Sequence, residues 1–115
     1  MGREDVTSRT EIPPGTLYML ILRTLTQLGP MHGYGIAQHI QRTSEDVLQV
    51  EEGSLYPALQ RMLIKGWVVA KWGQSDNNRR ARYYHLTPAG KEQLNIQISE
   101  FEKVMQAITR VIQPA

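Results

Sequence analysis

The sequence holds no cysteine, a single phenylalanine, no long apolar run and, between residues 53 and 91, one acidic residue, Asp76. Each gap excludes something. Without cysteine there are no disulfides, no thiolate zinc site and no cysteine nucleophile, which fits a reducing compartment. No segment approaches the roughly 18 uninterrupted apolar residues of a membrane span, and the first residues, Met1 to Ser8, lack the apolar stretch of a secretion signal. A soluble cytoplasmic protein is therefore expected. His32, His39 and His85 share no ligand spacing, so no metal site and no cofactor are expected. Ser54 has no histidine base at a recognisable spacing, Asp76 stands alone in a turn and no glycine-rich phosphate loop is present, so no catalytic residue is assigned and an enzyme is the least favoured class.

What is present fits one domain: 115 residues, of which 41% are hydrophobic, suffice for a modest core. The net charge of +2 conceals an uneven distribution. Residues 1–52 are net −3 and residues 92–115 net −1, whereas residues 53–91 carry Arg61, Lys65, Lys71, Arg79, Arg80, Arg82 and Lys91 against Asp76, a net of +6. A cationic segment between acidic flanks suits a polyanion, and nucleic acid is the first candidate. A solvated basic face would carry the same charge.

Residues 1–15 are polar, aperiodic and end in Pro13-Pro14-Gly15, which predicts a flexible arm. Thr16 then caps a helix with Leu17, Leu20, Ile21, Leu25 and Leu28 on one face, and Gly29-Pro30 stops it. A second helix runs from about His32 to Thr43, with His32 as a packed or capping group. Val47 to Val50 can add an edge strand. In a third helix, Ser54 or a neighbour is the cap, and Pro57 fits only in the first turn, where its missing amide has no intrahelical partner. Leu55, Leu59, Met62 and Leu63 form the buried stripe and Gly66 is the stop. The opposite face carries Ser54, Pro57, Gln60, Arg61 and Ile64, with Tyr56 at its border. Three short helices with tight connections, the third polar outside, describe a helix-turn-helix; an ordinary helical bundle is the alternative.

From Trp67 the period changes. Residues 67–72 and 80–86 read as paired strands around a polar turn, with Lys71, Arg79, Arg80 and Arg82 suited to gripping phosphates. Trp67, Trp72, Tyr83 and Tyr84 are assigned to packing. Thr87-Pro88 opens a last helix that nothing interrupts before about Val111. Its residues Leu94, Ile98, Phe101, Met105, Ile108 and Ile112 are spaced as a heptad seam, which predicts a two-fold dimer interface; packing against the first helix is the alternative. The expected fold is mainly α with a small β-hairpin, divided into an arm (1–15), a winged helix-turn-helix (16–87) and a dimerisation helix (88–115).

With these pieces in order, the sequence resembles the PadR family of bacterial transcriptional regulators. The matching residues are Gly29-Pro30-Met31-His32-Gly33-Tyr34, Glu52-Gly53-Ser54-Leu55-Tyr56-Pro57-Ala58-Leu59, Gly66-Trp67, Arg79-Arg80-Ala81-Arg82-Tyr83-Tyr84 and Leu86-Thr87-Pro88-Ala89-Gly90. The resemblance implies a homodimer paired through its first and last helices and repression from a palindromic operator in double-stranded DNA. It implies that Ser54, Tyr56, Pro57, Gln60 and Arg61 face the major groove while Lys71, Arg79, Arg80 and Arg82 serve the wing. A single C-terminal helix matches the short-tailed branch. Some relatives bind aromatic compounds at the dimer interface, so a small-molecule effector is an implied partner. The competing reading is a winged-helix module that binds a protein through its long last helix.

Overall fold

A computed structural model of the chain describes residues 10–13 and 15–113. Most of the expected arm, residues 1–9 and Pro14, lies outside the described residues. Within the remainder, Thr10–Glu11 form a two-residue strand β1. Helix α1 follows over Leu17–Leu28 and buries Ile21, Leu22, Thr24 and Leu25. Thr16 does not cap it through its side chain: the hydroxyl donates instead to the Pro13 carbonyl at 2.7 Å, tying the entering segment to the helix start. Thr24 is buried because its hydroxyl finds the Leu20 carbonyl at 2.8 Å.

Strand β2 (Met31–His32) leads directly into α2 (Gly33–Thr43). The expected helix start at His32 is thus a strand residue and the N-cap at once. Its Nδ1 accepts the Gly35 amide at 3.0 Å, so the capping assignment holds. A third two-residue strand, β3 (Leu48–Gln49), lies parallel to β1. It fits the apolar run expected at residues 47–50, but its partner is the arm. Helix α3 spans Glu52–Lys65, and Gly66, with a φ of 77°, ends it in the left-handed region.

The hairpin strands β4 (Val68–Gln74) and β5 (Arg80–Leu86) pair antiparallel from Val68↔Leu86 to Gln74↔Arg80. Strand β2 adds to the far side of β5, with Met31 opposite Tyr84 and His32 opposite Tyr83, giving a three-stranded sheet in the order β2-β5-β4. The core is one cluster in which Ile21, Leu22, Ile36, Leu55, Leu59, Met62 and Val68 are all but sealed from solvent.

Helix α4 runs over Pro88–Ile112. Its start is fixed to the end of α3 by a compact junction. The Thr87 hydroxyl lies 2.7 Å from the Gly66 carbonyl and 3.0 Å from that of Trp67, the Thr87 amide donates to the Trp67 carbonyl at 3.1 Å, and the hydroxyl oxygen accepts the Gly90 amide at 3.0 Å. Gly90 allows the approach, since a Cβ there would stand 2.1 Å from the Trp67 carbonyl oxygen. Of the heptad seam, Leu94 is 3% exposed and Ile98 packs against the same core, both being taken up by the chain itself. From Phe101 to Ile112 every residue is exposed. Gly90→Ala is therefore expected to lower stability by about 1–3 kcal/mol, a fall of roughly 4–12 °C in melting temperature by calorimetry.

Candidate nucleic-acid interface

Helix α3 starts earlier than its residues suggest. Glu51 is the N-cap, with no side-chain cap bond, and Glu52 sits in the first turn where the helix dipole favours a carboxylate. Ser54 is consequently the third helical residue rather than the cap, and Pro57 lies inside the helix. The Gly53 carbonyl loses its usual partner four residues on. Both positions face solvent, which can take that carbonyl, and this is why the proline is tolerated beyond the first turn.

All five candidate residues of α3 are exposed, and the 100° step of the helix sorts them into three lines. Gly53, Pro57, Gln60 and Ile64 run down the centre, with Ile64 78% exposed. Ser54 and Arg61 lie on the flank beside α1, where they line a cleft of about 560 Å³ together with Tyr18, Leu17 and Val50. Tyr56 lies on the other flank, in a groove shared with Tyr34, Gln38 and Arg42 of α2.

Two of these side chains are held rather than free. The Tyr56 ring rests on the backbone of Gly33, where a Cβ would come within 2.8 Å of the ring. Burial, then the Glu52 carboxylate, then Tyr84 push its hydroxyl above the ordinary tyrosine range, so it remains a protonated donor. Arg61 turns toward α1, its Nε donating to the Tyr18 hydroxyl, with its guanidinium carbon 5.7 Å from the Tyr18 ring centroid. Tyr18 in turn meets Trp67 edge-on at 5.5 Å, and Lys65 lies over Trp67 at 5.3 Å.

Strand alternation sorts the wing in the same way. Val68 and Tyr84 are buried at the root of one face, and toward the tip that face continues as Trp72, Arg80 and Arg82. Lys71 falls on the opposite face beside Tyr83, and Arg79 belongs to the turn, where the Ser75 amide donates to its carbonyl at 2.8 Å. Trp72, expected as packing, is instead 61% exposed because the sheet runs past the core at this point; it forms the platform for the Arg80 guanidinium, 4.5 Å from its ring centroid. Arg82 lies over Tyr84 at 5.9 Å. Sequence reasoning missed Tyr18, whose partner is 43 residues away and which has no local signal. Tyr34, part of a matching motif, is 66% exposed at the start of α2.

Among the described residues no group of His, Asp and Glu could hold a metal ion, and no helix is long and apolar enough to cross a membrane. Helices α1 to α3 with a basic two-stranded wing define a winged helix-turn-helix protein. The comparisons narrow the class. The profile of the transcriptional regulator PadR-like family matches residues 21–96. A transcriptional regulator from Clostridium thermocellum superposes with a TM-score of 0.79 at 25% identity, over 86% of this chain and 95% of that one. A PadR family transcription regulator from Clostridium difficile superposes at 0.72 with 30% identity, over 85% and 99%. An uncharacterized protein from Lysinibacillus sphaericus is 30% identical over 100 residues, 87% of this chain and 91% of its own. The chain belongs to the PadR-like family, and is a DNA-binding transcriptional regulator, not an enzyme.

Gly53 has no packing role to explain it. A Cβ there meets nothing within 4 Å, and glycine in a helix costs up to about 1 kcal/mol against alanine. Gly53→Ala is expected to raise stability by a few tenths to about 1 kcal/mol in urea unfolding; a loss would assign the glycine to accommodating Pro57.

Proposed function

We propose that the protein acts in the cytoplasm as a homodimeric repressor that binds a palindromic operator, with residues 16–87 as the reading unit and residues 88–115 as the pairing helix. Helix α3 enters the major groove with Ser54, Tyr56, Pro57, Gln60 and Arg61, while Lys71, Arg79, Arg80 and Arg82 serve the phosphate backbone from the wing. The observation that carries this reading is the Trp72 platform: an exposed tryptophan holding Arg80 beside Arg82, on the wing face continuous with the core. A hairpin that only closed the core has no use for either. Arg61 and Gln60 are the candidates for base contacts, arginine toward guanine and glutamine toward adenine.

Pairing uses the part of the seam left open by the chain's own core. Phe101, Met105, Ile108 and Ile112, with Val104 and Val111, are exposed large apolar residues on one helix, and a second copy related by a two-fold axis would cover them. A groove of about 370 Å³ between α1 and α4, lined by Met19, Ile96, Phe101 and Val104, offers an apolar effector a place beside that seam.

Arg61→Ala is expected to cost about 1–3 kcal/mol on the operator and little on random duplex. Arg80→Ala should weaken both alike and reduce the salt slope by about 1, read from titrations at several salt concentrations. Gly53→Ala should bind operator more weakly despite its firmer fold, because the added methyl group holds the helix off the bases. Equal losses on both DNAs for Arg61→Ala and Arg80→Ala would contradict the division of roles. By light scattering at micromolar concentration, the wild type should be a dimer and Ile108→Glu a folded monomer. A monomeric wild type would instead leave the stripe to a different protein partner.

A further inference from the structure

We infer that Tyr18 of α1 is a positioning residue for base readout: its hydroxyl, by accepting from Arg61 Nε, fixes the guanidinium plane and leaves the two terminal nitrogens to address one guanine. The inference rests on the proposed placement of α3 in the major groove. Arginine carries five N–H donors in a rigid planar fork, and a bidentate contact to guanine O6 and N7 needs only two of them. The donor taken by Tyr18 is the one on Nε, so the donors on the two terminal nitrogens remain for the base.

The anchor is itself fixed. The Tyr18 ring is partly buried and meets Trp67 edge-on at 5.5 Å, and the Trp67 carbonyl is bound by the Thr87 amide at 3.1 Å. The neighbours of Arg61 on the same flank, Ser54 and Lys65, supply no comparable brace. Two contacts therefore act on one guanidinium: the ring of Tyr18 lies 5.7 Å from it and the hydroxyl sets its rotation. Without the hydroxyl the ring remains and the orientation is lost.

Tyr18→Phe isolates that hydroxyl, since phenylalanine retains the packing on Trp67. Anisotropy titrations would use an operator fragment selected from genomic DNA, random duplex, and operators in which single guanines are replaced by 7-deazaguanine, which lacks the N7 acceptor. Wild type should lose affinity at one such position. Tyr18→Phe should bind intact operator about five- to tenfold more weakly, lose that discrimination, bind random duplex as before and melt within about 2 °C of wild type. The Tyr18→Phe, Arg61→Ala double variant should match Arg61→Ala alone, because both changes act through one contact. If Tyr18→Phe binds and discriminates like wild type while Arg61→Ala does not, the positioning role is overturned and the groove contact stands. If Arg61→Ala itself binds operator like wild type, both are overturned.

Discussion

The Thr87 side chain has one hydroxyl proton and two carbonyls within reach, those of Gly66 and Trp67. The shorter contact takes the proton to Gly66, and the Thr87 amide takes the Trp67 carbonyl. The same oxygen accepts the Gly90 amide. Four chain segments meet in this one arrangement: the end of α3, the first strand of the wing, the last strand of the wing and the start of α4. The last turn of α3 is closed by the Gly66 and Trp67 amides on the Leu63 and Met62 carbonyls, and the carbonyls of Gly66 and Trp67 themselves are met by the residue that caps the next helix. Since a side chain at Gly90 would collide with the Trp67 carbonyl, this meeting admits little variation, and the angle between α3 and α4 follows from it.

The residues proposed to contact DNA are ordered before any partner arrives. Arg61 is braced by Tyr18, Arg80 lies on Trp72, and Tyr56 rests on Gly33. A free arginine side chain carries about 2 kcal/mol of rotamer entropy, and whatever part of it is lost on folding is not lost again on binding. The outward face of α3 carries few charges, so on the proposed docking the quality of each contact matters more than their number. Two aromatic residues, Trp72, which sequence reasoning assigns to packing, and Tyr18, which it leaves unassigned, are supports for arginines.

Much of the fold was legible because its boundaries are chemical. Thr87-Pro88 opens α4 as threonine cap and first-turn proline should, Gly66 closes α3 with a positive φ, and the apolar periods of α3 and of the middle of α1 match their buried residues, although Leu28 at the end of α1 is exposed. What escaped was set by distant partners. A two-residue strand such as Met31–His32 exists only because Tyr83 and Tyr84 lie opposite it, and nothing local in Leu48–Gln49 announces Thr10–Glu11. The heptad seam was visible as a pattern, but a pattern does not say which residues cover it. The chain's own core claims Leu94 and Ile98 and leaves the rest. Likewise the exposed centreline and flanks of α3 followed from its period, whereas the brace on Arg61 spans 43 residues and could only be seen folded.

Helix α4 has 25 residues and so measures about 37 Å, with firm purchase only along its first three turns, to Ile98. It is a lever whose fulcrum is the Thr87–Gly90 junction. Tilting it by about 10° moves its far end by roughly 6 Å, close to two base-pair steps of about 3.4 Å each along a duplex. If two copies pair along this rod as proposed, a tilt of that size, such as a small molecule wedged between α1 and α4 would impose, would decide whether both proposed reading heads meet the groove in register.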